Sequence, residues 1–120
     1  MVGCDMLRLK SELYVQALVR RVQAGLSAAY IARRGDKDAG GIFIRIVQND
    51  ATSGLLTLTT DMDGNRVARV VLPLKSADAQ IDERLAREAA RDPDIWVVDI
   101  EDAAGRHFLE EKILGIWQEE

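Results

Sequence analysis

The sequence predicts an α+β fold: a single domain with a mostly antiparallel sheet and helices packed on one face. Three observations lead there. Apolar residues recur at helical spacing from Ser11 to Ala24 and again after Ser76. Between those stretches the period drops to two, through short runs rich in β-branched residues. Segments containing Gly, Asp or Pro punctuate the runs, with no linker, repeat or low-complexity tract. With 120 residues, 48% of them hydrophobic and 30% charged, the chain has the size and composition of one folded domain.

The first helix is expected over Ser11 to Ala24. Ser11 suits the N-cap, Val15, Leu18, Val19, Val22 and Leu26 fall at near-helical spacing, and Gly25 offers a C-terminal stop. Ala28 to Arg33 reads as a strand. In the next strand, Ile42 to Gln48, one face carries Ile42, Ile44 and Ile46 and the other Phe43, Arg45 and Val47. Two largely apolar faces mark a central strand. Leu55 to Thr60 alternates, with Leu56 and Leu58 inward and Thr57 and Thr59 outward. The turn 61–65 closes a hairpin onto Arg66 to Leu72, where Pro73 should end the strand because it cannot donate to the ladder.

A second helix begins near Ser76 or Asp78, either of which can cap it. It buries Ile81, Leu85 and Ala89 and carries Glu83 and Arg87 as an (i, i+4) pair on its wet face. Asp92-Pro93 stops it. Ile95 to Glu101 is the strongest strand, with Trp96, Val98 and Ile100 on one side and Ile95, Val97, Asp99 and Glu101 on the other. Residues 102–105 turn the chain and Arg106 to Phe108 returns. Leu109, Ile113, Ile116 and Trp117 then recur at i, i+4, i+7 and i+8, the spacing of a terminal amphipathic helix. Trp96 is expected in the core against the second helix, and Trp117 packed back on the sheet.

Composition excludes several classes of function. The longest apolar run is Ala28 to Ala32, far too short to span a bilayer. One cysteine and one histidine leave no intrachain disulfide and no multi-cysteine or histidine-rich metal site. The opening Met1-Val2-Gly3-Cys4-Asp5 lacks the basic and apolar regions of a signal peptide. A cytoplasmic location is therefore expected, with no membrane partner. Net charge is −4, divided between +3 over residues 1–60 and −7 over residues 61–120. An isoelectric point near 5.0 and only six aromatic residues do not suit a nucleic-acid module, so nucleic acid is not an expected partner.

Two regions are candidate binding sites. The loop 33–41 contributes Arg33, Arg34, Asp36 and Asp38 beside Gly35, Gly40 and Gly41. Its glycines permit close approach to the backbone, and its charges could grip an anion or a carboxylate. It is not a phosphate loop, since no Gly-Lys-Ser/Thr follows. A hairpin loop whose aspartates cap their own backbone explains it as well. The second region is the acidic hairpin: Asp94, Asp99, Glu101 and Asp102, with Arg106 and His107 across the turn. Asp99 and Glu101 share a strand face, about 7 Å apart. They could hold a divalent cation through water, or supply a carboxyl group of raised pKa for acid–base work. A structural acidic rim, with Arg106 as a salt-bridge partner, is the simpler account. The Asp-Met-Asp-Gly-Asn turn at 61–65 is no calcium loop, because Leu72 stands where the bidentate glutamate is needed.

Several stretches resemble a family of short alphaproteobacterial proteins, the domain of unknown function number 1491. They are 7–12, Arg33-Arg34-Gly35-Asp36 with Ala39-Gly40 and Ile42-Phe43, and a C-terminal block. That block holds Ile81-Asp82, 85–88, the run 92–102, and Gly105-Arg106-His107-Phe108-Leu109. The resemblance implies a compact cytoplasmic domain and carries no activity. Residues 1–5, Cys4 included, look like a frayed extension before the family's usual start, with Met6 as initiator and 6–120 as the single domain. The helix expected after Leu109 is less tied to the family pattern.

The reading that follows is a small protein-interaction or regulatory domain without catalytic activity, binding a protein partner of unknown identity or pairing as a homodimer. No catalytic residue, no metal ligand set and no cofactor is assigned. The alternative is a metal-dependent enzyme or accessory protein using the acidic hairpin from Asp94 to His107.

Overall fold

The computed structural model describes residues 10–49 and 51–118. The expected extension 1–5, the proposed start at Met6 and the family-like residues 7–9 lie outside them. The described residues form helices α1 (Ser11–Ala24) and α2 (Asp78–Arg91) and strands β1 (Ala28–Arg33), β2 (Ile42–Val47), β3 (Thr52–Thr60), β4 (Arg66–Ala77), β5 (Trp96–Glu101) and β6 (Ile113–Leu114). The strands make one sheet in the order β1-β5-β2-β3-β4-β6. Three of its pairings are antiparallel; β5 lies parallel to β2, and β6 parallel to β4. The α+β class and the mostly antiparallel sheet stand as the sequence predicts.

The helices do not share a face. Tyr14, Val15, Leu18 and Val22 of α1 pack on Ile42, Ile44, Ile46, Leu56, Trp96, Val98 and Ile100. Ile81, Leu85 and Ala89 of α2 pack on Phe43, Leu55, Ile95 and Val97, the alternate residues of the same strands. Side chains alternate across a strand, so the two sets lie on opposite faces. Covering both explains why β2 and β5 are apolar on both sides. It also moves Trp96, which is buried against α1 and not α2.

Local capping differs from expectation because tertiary partners intervene. Ser11 is the first helical residue rather than the cap, and its buried hydroxyl donates to the Gly40 carbonyl at 2.5 Å. The amides of Ser11 and Glu12 donate to the Asp38 and Lys37 carbonyls, so the 33–41 loop does the work of a cap. At the other end, Gly25 closes α1, while Leu26 takes the left-handed conformation at φ 67°. Neither Ser76 nor Asp78 caps α2: the Ser76 hydroxyl donates to the Pro73 carbonyl and the Asp78 carboxylate receives Arg45 and Ser53. The helix-surface pairs that form are Arg84–Glu88 at 2.8 Å and Arg91–Glu88 at 3.8 Å.

Pro73 does not end β4, which continues to Ala77. The proline falls where the β3–β4 register shifts between Ser53 and Leu55, a bulge that needs no donor from it. The terminal helix and the returning strand 106–108 are absent. From Phe108 (φ 63°) to Gly115 (φ 104°) the chain is irregular apart from β6, and Phe108, Leu109, Ile113 and Trp117 each seat on the α1 face of the sheet. Helical spacing in the sequence here records separate contacts of an irregular segment, and tertiary burial overrides it. Trp117 packs back on the sheet as expected.

Candidate functional site

The 33–41 loop is held against the start of β5. The Asp36 amide donates to the Asp94 carbonyl at 2.9 Å, and Trp96 Nε1 donates to the Asp36 carbonyl at 2.7 Å. The Asp36 carboxylate accepts the amides of Asp38 and Ala39, the self-capping turn weighed in the sequence. Arg33 donates to the Pro93 carbonyl at 3.1 Å, Arg34 pairs with Glu12 at 3.1 Å and lies over the Trp96 ring, and Asp38 pairs with Lys10 at 3.6 Å. These partners are structural, while the buried Arg33 Nε has none among the described residues.

The acidic hairpin is not one cluster. Asp94 contributes its backbone carbonyl. Asp102, buried, accepts the Ser27 hydroxyl at 2.9 Å and the backbone and guanidinium of Arg106, joining the end of β5 to the α1–β1 connection. The Arg106 bonds hold the Asp102 carboxyl down to about 2, against the opposing effect of burial. His107 lies elsewhere. Its Nδ1 accepts the Leu109 amide at 2.9 Å, its ring meets Trp117 edge-on, and burial pushes its pKa down despite the opposing charge of Glu111. Among the described residues no group of three or more His, Cys, Asp or Glu side chains could hold a metal ion.

Asp102 sets an acid limit on stability. A carboxyl whose native pKa lies below its unfolded value of about 3.9 stabilises the fold above that value and loses the contribution as pH falls toward about 2. Asp102→Asn is expected to cost about 2 kcal/mol at pH 7, the scale of charge-assisted bonds to a buried acceptor. Urea unfolding at pH 7 and pH 3 checks it, because the gap between variant and wild type must narrow at the lower pH.

Asp99 and Glu101 do share a face, and what surrounds them was not legible as a site. On the α2 face, Arg45 of β2 is in register with Asp99 of β5, which is in register with Tyr30 of β1. The Arg45 guanidinium is mostly buried and donates to Asp78, and to Asp82 at 2.8 Å, in the first turns of α2. The Ser53 hydroxyl also donates to Asp78, at 2.7 Å. Burial opposes the charge on Asp78, but the Ser53 and Arg45 bonds outweigh it and lower its pKa. Tyr30 Oη donates to Glu101 at 3.3 Å. Arg45, Asp78 and Tyr30 were missed, although one arginine inside the apolar run Ile42–Val47 was itself a signal that a buried partner must exist.

Burial pushes the Asp99 pKa up; Arg45 partly offsets this, and Asp78, Asp82 and Glu101 add to the rise. With a native pKa above the unfolded one, the folded state binds more protons, so stability falls as pH rises through that interval. Asp99→Asn keeps the shape and removes the charge. It is expected to raise the thermal midpoint at pH 7 by a few degrees, on the order of 0.5–1 kcal/mol. A midpoint equal to or below wild type contradicts this.

Comparison with known proteins bears on the whole arrangement. A family model described as "Protein of unknown function (DUF1491)" matches residues 9–110. The chain belongs to the DUF1491 family. It is similar to a DUF1491 protein from Caulobacter crescentus CB15, seen in a crystal structure (37% identity, TM-score 0.80, covering 88% of this chain and 99% of that one). The NMR structure of a DUF1491 protein from the same organism matches at 37% identity and TM-score 0.76, covering 90% and 98%. The solution structure of Atu0922 from A. tumefaciens matches at 31% and 0.76, covering 91% and 98%. A search of curated proteins found no match. The DUF1491 match stops at residue 110, so β6 and Trp117 lie beyond it. Within it fall the 33–41 loop, the Asp102–Arg106 pair and the Tyr30–Asp99–Arg45 row. No helix of the described residues is long and apolar enough to cross a membrane.

Proposed function

We propose that this DUF1491 protein is a protein-interaction domain that docks a partner on the part of the sheet's α2 face formed by β1 and β5. The observation that carries this reading is Tyr30, 47% exposed at the middle of β1 and set beside the buried Asp99. A half-exposed aromatic next to a desolvated charge is the composition of an interface centre. The neighbouring positions Ala28 and Ala32 are exposed and small, so a partner could approach the strand closely. The use of Asp102, Asp94 and His107 in structural bonds weighs against the metal-dependent enzyme. The hollow of about 330 Å³ lined by Val47, Gln48, Asn49, Glu101, Asp102 and Ala103 is open to solvent and not an enclosed cleft.

The test is affinity capture from the source organism with three baits: wild type, Tyr30→Ala and Met62→Ala, the last an exposed control in the β3–β4 turn. A partner kept by wild type and Met62→Ala and lost by Tyr30→Ala supports the reading. Identical capture by all three baits, or capture by none, overturns it. Light scattering of the isolated protein tells a second copy of the chain from a different partner.

A further inference from the structure

The sheet ends on one side in β1, and that edge is open. Half of the N–H and C=O groups of an edge strand point away from its one neighbour. Apart from the ladder with β5, residues 28–33 make no main-chain hydrogen bond among the described residues. The opposite edge, β6, is only two residues long. Proteins guard long edges with charge or proline, and Ala28 to Ala32 carries neither. The strand's one irregularity is a bulge after Ile31, which turns Arg33 to the face of Tyr30, in register with Val97. Leu26, 94% exposed and in the left-handed conformation, stands just before the strand and adds apolar area in water.

We propose that β1 pairs antiparallel with β1 of a second copy of the chain, about a two-fold axis at Tyr30, so that one sheet runs through both copies. The strand is its own complement. With Tyr30 opposite Tyr30, Ala28 faces Ala32 and Ala29 faces Ile31 of the other copy, so small residues flank each ring. Charge fits the same axis. Arg33 and Arg34 mark one end of β1, while Glu101 adjoins the other end, in register with Ala28. Antiparallel pairing sets the basic end of each strand against the acidic end of its mate, twice by symmetry. Arg33 of one copy and the exposed Glu101 of the other are then two strand spacings apart across Ala28, about 10 Å between backbones. Parallel pairing would bring like charges together. A strand from another protein would have to supply this order of charges by itself, whereas a second copy carries it. The proposal rests on the docking reading above, extends it to the strand edge and names the partner.

Sedimentation equilibrium of the full chain, up to about millimolar concentration, is the test. Wild type is expected to dimerise with a dissociation constant of about 10–100 μM, because so short a contact buries less than a standard interface. Ala28→Lys puts a charge on the open edge and should raise that constant about tenfold or more. Met62→Lys adds the same charge at the exposed β3–β4 turn and should leave it unchanged. Arg33→Glu and Glu101→Arg should each weaken the dimer severalfold, and the double variant should recover to within about threefold of wild type. A wild type that stays monomeric throughout, a dimer untouched by Ala28→Lys, or a double variant no tighter than either single variant overturns the proposal. Should Arg33→Glu fail to fold through loss of its bond to Pro93, the wild-type and Ala28→Lys measurements still decide. After any overturning result, loss of a different captured protein by Tyr30→Ala would still support the docking surface, so the two failures are distinguishable.

Discussion

Replacing Gly40 with alanine is expected to cost about 3 kcal/mol or more, because the new methyl would be driven into main chain that has no room to retreat. A Cβ on Gly40 would lie 2.2 Å from the Asp94 carbonyl oxygen and 2.9 Å from both the amide and the carbonyl of Asp36. Gly35 meets the same oxygen at 2.1 Å, so Gly35→Ala should be as damaging. Neither glycine has a positive φ, so backbone conformation is not the obstacle; at an open site, alanine would stabilise by about 0.4–1 kcal/mol. Gly41 is the internal control. Its Cβ would meet only the Ile95 side chain, at an ordinary 3.8 Å, and Gly41→Ala should fall within about 0.5 kcal/mol of wild type. Urea midpoints of the three variants decide the matter. A harmless Gly40→Ala would mean that the loop does not sit against Asp94.

Trp96→Ala is expected to cost about 3–5 kcal/mol, a large part of the stability of a domain this size. The ring is 1% exposed and lies in the cluster under α1, so its removal leaves a cavity bounded by a sheet and a helix. The Asp36 carbonyl also loses the indole donor, and with it one tie that holds the 33–41 loop. Trp96→Phe separates the two contributions. It fills much of the space but supplies no N–H, and should cost about 1–2 kcal/mol. Denaturant unfolding followed by far-ultraviolet circular dichroism measures both. Equal stability of the alanine and phenylalanine variants would show that cavity formation is not the dominant cost.

Both effects concentrate on one junction, where α1, the 33–41 loop and the start of β5 meet. The sequence marked each piece without marking the junction. Gly35, Gly40 and Trp96 stood out as residues, and the loop was read as a place where a ligand might approach the backbone. The close approach is real, but what approaches is the chain's own Asp94 carbonyl. Similarly, Asp99 and Glu101 were placed on one face by simple alternation, while His107 was wrongly set opposite them. The hairpin that would have brought it there does not form, and the chain after Gly105 crosses to the α1 face.

The sequence by itself determined the elements whose evidence is local. The period of α1 and α2, the alternation of β2, β3 and β5, and the two apolar faces of β2 and β5 follow from side-chain geometry within one element. Only the tertiary structure decided that β5 inserts between β1 and β2, since strand pairing is set by residues some fifty positions apart in the chain. It decided that α1 and α2 take opposite faces, that Pro73 falls in a bulge, and that residues 109–117 are irregular apart from β6 although their spacing is helical. It also assembled the row of Tyr30, Asp99 and Arg45 from three strands, with Asp78 from a helix. A buried charge is recognised by its partners, and these come from distant segments. Periodicity carries no information about which distant segment will supply them.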